Sequence, residues 1–398
     1  MANIITRNIG WLCSKAKSHL YKRDNRLWVF GEWFGNRCCD NALYLANHLA
    51  QHHSELDLVW IAKSSADTSL LHPNVRRVEM GTPEALEVLH RAGVAVMNQG
   101  SNDFAAETNY YIDGAVNVNL WHGVPWKQIG IDVLHADSGL KKLYGYYLHI
   151  LQRADLYLAT SDDFKDIFHK KYFAKKDGVI LSGYPRNSIF YDEQTVAGCR
   201  EKALKQLQAA NPSLDSDVKI ITYMPTFRDN TQEVFSFDQL ANDQRLREML
   251  HKHNAVIVQR AHFVTNQRGT TQADGGFERI TSLDGITSQE LLAASDMLIT
   301  DYSSCFFDFL MLDRPIIHHL YDYAYYANED RGLYYKKEEV VCGDVSQNVD
   351  ELLDHMETNL SEPGKEAQLR LARKEKFMTY ECADCCEKIY EAIQKRVK

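Results

Sequence analysis

Short apolar runs alternate with helical patterns along almost all of this chain, and no other feature narrows the possible folds so far. Leu27–Phe30, Leu58–Ala62, Val75–Met80 and Val94–Met97 read as strands. A helix opens at Asp40 or Asn41, with Leu43, Leu45, Ala46 and Leu49 inward, and another covers Pro83–Arg91. Short turns between such elements predict an α/β protein with a parallel sheet, because each crossover helix packs back across a face. The pattern then starts again: Lys219–Met224, Ala255–Gln259 and Met297–Ile299 read as strands, with helices near 237–252 and over Ser288–Ala294. A chain of 398 residues is long enough for two cores. The predicted organisation is an N-terminal helix over 1–26, a first block over 27–190, a linker over 191–217, a second block over 218–363 and a long C-terminal helix over 364–398.

Charge removes some function classes. A formal net charge of -9 speaks against nucleic acid as a partner, which calls for a basic surface. The first 26 residues are the exception, with Arg7, Lys15, Lys17, Lys22, Arg23 and Arg26 against Asp24. Ile5, Ile9, Leu12, Ala16 and Leu20 fall near helical spacing there, beside Trp11. Such a helix either lies on an anionic membrane surface, at about 1 kcal/mol per basic residue, or packs on its own domain. No apolar run approaches the ~18 residues that span a bilayer, so an integral membrane protein is not expected. Nine cysteines without a secretory signal fit reduced thiols. Cys382, Cys385 and Cys386 lack a fourth zinc ligand nearby, and Asp215-Ser216-Asp217 lies in the polar linker. No metal or other cofactor is therefore expected to be essential.

Chemistry concentrates where the apolar runs end. In an open parallel sheet, ligands sit outside the carboxyl ends of strands. Asn117–Trp121 runs into His122-Gly123, with Lys127 beyond. Met297–Ile299 runs into Thr300 and Asp301, then Ser303, Ser304 and a helical pattern carrying Phe306, Phe309 and Leu310, closed by Arg314-Pro315. Asp301, Ser303 or Ser304 suits the cap of that helix, and a hydroxyl-rich helix start favours a phosphate.

Four stretches together carry a resemblance: WHGVPWKQIGID (Trp121 to Asp132), SGYPRN (Ser182 to Asn187), YMPTFRD (Tyr223 to Asp229) and ITDYSSCFFDFLMLDRPII (Ile299 to Ile317). In this order, and with YDYAYYANEDRGLYY (Tyr321 to Tyr335) after them, they resemble the CDP-glycerol glycerophosphotransferase family, the polymerases and primases of teichoic-acid and related capsule synthesis. The similarity runs from about residue 33 to about residue 343. It implies a GT-B fold, two Rossmann-like domains facing across a cleft, the acceptor handled by the first and the CDP-linked donor by the second.

The implied reaction moves a polyol phosphate from CDP-glycerol or CDP-ribitol to an acceptor hydroxyl and releases CMP. The implied acceptor is a lipid-linked saccharide or polyol-phosphate polymer, and the implied location is the cytoplasmic face of the cell membrane. His122 matches the family's proposed base, and a neutral imidazole suits that task near pH 7. His262 matches the second important histidine, although Phe263 stands where relatives usually have proline. Arg260 beside it, with Thr226, Arg228, Ser303 and Ser304, suits contacts to the pyrophosphate. Asp301 is expected to orient a neighbour rather than touch phosphate. Arg186, Lys127 and Arg331 complete the expected substrate contacts. Rival readings are a GT-B enzyme using a nucleotide sugar and a non-catalytic scaffold of a polymer-synthesis complex. The compact chain leans towards a primase or short-chain transferase.

Overall fold

The computed structural model describes residues 20–104, 109–134, 139–226, 235–260, 277–326 and 332–397. The basic N-terminal segment falls almost wholly outside them. Two compact units emerge, one from residues 1–122, 129–188 and 380–398, the other from residues 123–128 and 189–379.

The first unit is a seven-stranded sheet in the order β3-β2-β1-β4-β5-β6-β7. Its elements run β1 Asp24–Gly31, α1 Asn41–His52, β2 Asp57–Ala62, β3 Val75–Glu79, α2 Pro83–Arg91, β4 Ala92–Met97, β5 Val116–Asn119, α3 Gly139–Leu151, β6 Leu156–Ala159, α4 Asp162–Lys171 and β7 Val179–Leu181. Every pairing is parallel. The central strand β4 is buried along its whole length, as continuous apolar runs in a doubly covered sheet should be. Helix starts are capped as their sequences predict: Asp40 accepts from the Asn41 N–H, Thr82 from Ala85 and Ser161 from Phe164.

The second unit is a six-stranded sheet in the order β10-β9-β8-β11-β12-β13, again parallel. Here the elements are α5 Glu193–Ala210, β8 Lys219–Met224, α6 Gln244–Lys252, β9 Ala255–Gln259, β10 Ile280–Thr281, α7 Ser288–Ala294, β11 Met297–Thr300, α8 Cys305–Phe309, β12 Ile316–His319, β13 Asp344–Ser346, α9 Val349–Ser361 and α10 Ala367–Phe377. Its core joins Ile221, Ile257, Met297 and Ile299 from the strands to Leu246, Leu250, Leu353 and Met356 from the helices. Most of the segment predicted as a linker is α5, which belongs to this unit. Arg200 on α5 pairs with Asp296 at 2.9 Å, and Lys202 pairs with Glu290 at 2.9 Å.

The single long C-terminal helix expected from the sequence is instead two, α10 and α11, the latter Cys385–Gln394. The break has a hydrogen-bonding cause. Tyr380 donates its N–H to the Thr160 carbonyl at 3.0 Å and its hydroxyl to Asp162 at 2.8 Å. Glu381 accepts from the Tyr184 N–H at 3.0 Å and from Asn187 Nδ2 at 3.1 Å. These groups are committed to the first unit, to which α11 also belongs. Among the described residues no helix is long and apolar enough to cross a membrane.

Candidate functional site

In the first unit, three neighbouring strands deliver the polar groups. β1, β4 and β5 lie side by side, with Gly31 opposite Met97 and Met97 opposite Asn119. The residues just beyond their carboxyl ends are Glu32, Asn98 and the Trp121-His122 turn. The His122 Nδ1 lies 3.4 Å from the Asn98 carbonyl oxygen. A carbonyl only accepts, so this contact puts the ring hydrogen on Nδ1 and the lone pair on Nε2.

The backbone that presents His122 is strained and held. Trp121 has φ 60, a left-handed conformation that costs about 1–3 kcal/mol for a residue with a side chain. Asn119 Oδ1 accepts from the Trp121 N–H at 2.9 Å, and Asn41 Nδ2 donates to the Trp121 carbonyl at 3.0 Å. The indole packs edge-on against Phe168 and Tyr172 and stacks on the His122 ring, centroids 4.7 Å apart. Arg186 donates to the His122 carbonyl at 3.0 Å and to Asp40 Oδ1 at 2.7 Å. Its guanidinium is buried inside this unit, where it ties Asp40 to the turn.

Behind the turn sits a cluster of buried acids. Glu32 is fully buried and accepts from the N–H groups of Cys39 and Asp40, the latter at 2.8 Å. Burial first, and the negative charge of Asp40 next, push the Glu32 carboxyl well above its ordinary range. Asp103 accepts from the backbone N–H groups of Phe34 at 2.8 Å, Asn98 at 3.0 Å and Gln99 at 2.8 Å. Burial nevertheless pushes Asp103 up to about 6. Trp33 and Phe34 take left-handed φ values of 49 and 57, so these acids hold a second strained turn. Sequence reasoning passed over Glu32, Asn98 and Asp103. The available signal was a polar residue directly after an apolar strand, which β1 and β4 both show.

In the second unit, β9, β8 and β11 are adjacent, and Arg260, Thr226 and Asp301 lie just beyond their carboxyl ends. Asp301 is buried and its Oδ1 accepts from the Thr226 N–H at 2.7 Å and from the Tyr302 N–H at 2.6 Å. Thr300 Oγ1 donates to the Met224 carbonyl at 2.6 Å, so two bonds join the loops after β8 and β11. Asp301 therefore does not cap the following helix. Ser304 occupies the cap position without a side-chain bond, and Ser303 Oγ accepts from the Cys305 N–H at 3.5 Å. That helix, α8, has only five residues before a 3-10 turn, shorter than the sequence pattern implied. Hydroxyls rather than a long helix dipole are what this loop offers an anion.

Arg260 donates its N–H to the Tyr223 carbonyl at 2.9 Å and its Nη1 to the Ile286 carbonyl at 2.6 Å. Lys127 lies in the six-residue segment that joins the second unit, where it bridges antiparallel to Leu333. Trp126 anchors that segment through Nε1 to the Tyr335 carbonyl at 3.0 Å. Gly332 has φ +75 there, and a Cβ would meet the Gln128 side chain at 3.0 Å. Arg228, His262 and Arg331 lie outside the described residues.

A family model described as CDP-Glycerol:Poly(glycerophosphate) glycerophosphotransferase matches residues 13–395. The chain belongs to this family. It is 26% identical over 389 residues to the teichoic acid glycerol-phosphate transferase of Staphylococcus aureus (strain NCTC 8325 / PS 47), covering 94% of this chain and 95% of that protein. It is 22% identical to the teichoic acid poly(glycerol phosphate) polymerase of Bacillus subtilis (strain 168), over 98% of this chain but 52% of that protein. The chain thus spans nearly all of the glycerophosphotransferase relative from S. aureus and about half of the B. subtilis polymerase. Among solved structures, the wall teichoic acid polymerase TagF superposes with a TM-score of 0.79 at 20% identity, over 100% of this chain and 98% of that chain. The two parallel sheets are therefore the fold of this family.

Proposed function

We propose that this glycerophosphotransferase moves glycerol phosphate from CDP-glycerol to a hydroxyl of a teichoic-acid precursor, releasing CMP. The observation that carries the reading is His122: a strained, buttressed turn at the carboxyl end of β5 presents an imidazole whose Nδ1 faces the Asn98 carbonyl at 3.4 Å. The acceptor oxygen attacks the phosphorus bearing the glycerol, and its proton passes to His122 Nε2. The bond from that phosphorus to the bridging oxygen breaks, and CMP leaves with the bond's electrons. An imidazole near its own pKa is suited to this transfer at neutral pH.

Thr226, Ser303 and Ser304, with Arg260 and the sequence candidates Arg228 and His262, are assigned to the pyrophosphate, whose charge must be balanced as it shifts towards CMP. Asp301 acts through them by fixing the Thr226 backbone. Lys127 and Arg331 are assigned to charge balance, and Arg186 to holding His122. The match along the length of the S. aureus glycerol-phosphate transferase supports glycerol over ribitol in this reading. One similar solved structure is that of a TagF variant with CDPG, consistent with that donor class. A lipid-linked acceptor and an anionic membrane surface fit the basic residues Arg7, Lys15, Lys17, Lys22 and Arg23. The deciding experiment incubates the protein and an acceptor with CDP-glycerol, CDP-ribitol or a UDP-sugar and follows the nucleotide released. CMP from CDP-glycerol is expected. Release of UDP alone would return the chain to the nucleotide-sugar reading, and co-sedimentation with anionic liposomes tests the membrane.

A further inference from the structure

Away from His122, helix α1 and helix α11 bring together residues far apart in sequence. His48 and His52 stand one turn apart on α1, and His53 is its C-terminal cap. Across from them, Glu387 projects from the first turn of α11. Glu387 Oε2 lies 3.2 Å from His48 Nε2 and 3.0 Å from His53 Nε2. All three donor atoms fall within 4.8 Å of one another. Bonds of about 2.0–2.2 Å at tetrahedral angles would set neighbouring ligand atoms about 3.3 Å apart. The two spacings to Glu387 Oε2, 3.2 and 3.0 Å, are close to such a tetrahedral edge.

The outer contacts match as well. A metal-bound imidazole usually gives its second N–H to a carboxylate, which fixes its tautomer. His53 Nδ1 lies 3.4 Å from Glu55 Oε1, so Nε2 is the nitrogen left to face Glu387. Glu55 is in turn held by the Tyr390 hydroxyl at 3.2 Å, and the Tyr390 ring lies against His53 with centroids 3.7 Å apart. The His52 ring, 4.6 Å from that of His48, stands at the rim.

We propose that His48, His53 and Glu387 form a site for a zinc-class divalent ion that clamps α11 onto α1, apart from the transfer chemistry. Two imidazoles and one carboxylate are a donor set for Zn²⁺, Co²⁺ or Ni²⁺ rather than for Mg²⁺ or Ca²⁺. Water, or His52 after a side-chain rotation, completes the coordination. The cation offsets the charge of Glu387, and its binding energy adds to the stability of the first unit.

The test uses the full chain, stripped with a chelator and titrated with ZnCl₂ by calorimetry, with CoCl₂ as a spectroscopic probe. One Zn²⁺ per chain, a rise in melting temperature with added zinc, and a tetrahedral Co²⁺ spectrum without thiolate charge transfer are expected. Glu55→Gln should weaken zinc binding about 10–100-fold, the range for loss of an outer partner. His48→Ala, His53→Ala and Glu387→Ala should each weaken it further and abolish the thermal shift. Zinc affinity unchanged in all three would overturn the site. So would a thiolate band, which would move the metal to the cysteines. Should an alanine variant fail to fold, His48→Gln and Glu387→Gln carry the same expectation, and circular dichroism verifies their fold.

Discussion

Arg186 offers the sharpest test of how the first unit presents His122. Its side chain and that of Asp40 are each only 7% exposed, and they meet at 2.7 Å. Arg186→Met leaves the Asp40 carboxylate buried without its cation, a change that costs about 3–5 kcal/mol in comparable pairs. At roughly 2–4 °C per kcal/mol for a unit of this size, the melting temperature should fall by roughly 6–20 °C. Adding Asp40→Asn removes the stranded charge while keeping a side chain able to cap α1. The double variant should therefore recover most of the lost stability. It still lacks the donor that holds the His122 carbonyl at 3.0 Å. CMP release from CDP-glycerol should stay reduced by about tenfold or more, equivalent to about 1.4 kcal/mol of transition-state stabilisation. Donor titration should match wild type. Wild-type turnover in the double variant would refute the positioning role, and lost donor affinity would make Arg186 a substrate contact after all.

Three further outcomes follow from the same geometry. His122→Ala should lower CMP release by about 100- to 10,000-fold, the usual worth of a general base, without changing donor binding; near-normal turnover would remove His122 as the base. Ser303→Ala combined with Ser304→Ala should weaken CDP-glycerol binding by at least about tenfold, since each hydrogen bond to a charged group is worth about 1.5–3 kcal/mol; an unchanged titration returns both to local structure. Asp103, raised from 3.8 to about 6, contributes stability that is complete below about pH 3.8 and lost as pH rises through about 6. The unfolding free energy from urea titrations should accordingly decline between those values by about 3 kcal/mol from this group. Asp103→Asn should flatten that decline, and an unaltered slope would sink the assignment.

Periodicity made most of the scaffold legible before any coordinates. Pro83–Arg91, Lys219–Met224 and Ser288–Ala294 begin and end where apolar spacing, proline and capping residues place them. Periodicity says nothing about which hydrogen bonds a loop will spend elsewhere. Tyr380 and Glu381 interrupt a good helical pattern because Thr160, Asp162, Tyr184 and Asn187 claim their polar groups. Asp301 looked like a helix cap and is occupied by Thr226 and Tyr302. Arg186 read as a ligand contact because its motif is shared with enzymes, while the burial that makes it internal has no local signature. His48 and Glu387, 339 positions apart, could be related only by the packing of α11 on α1.

That packing also bears on how the chain reaches its native state during synthesis. The first unit includes residues 380–398, which bury Cys385, Ile389 and Ile393 and are made after the rest of both units. The second unit has all its residues once Thr379 is made. The usual order, in which N-terminal domains finish first, is therefore inverted. At about 5–20 residues per second, the sheet that carries His122 waits tens of seconds at most before Cys385, Ile389 and Ile393 are made. A chain stalled or clipped before residue 380 would leave the ribosome with its second unit complete and the unit carrying His122 a target for chaperones and proteases.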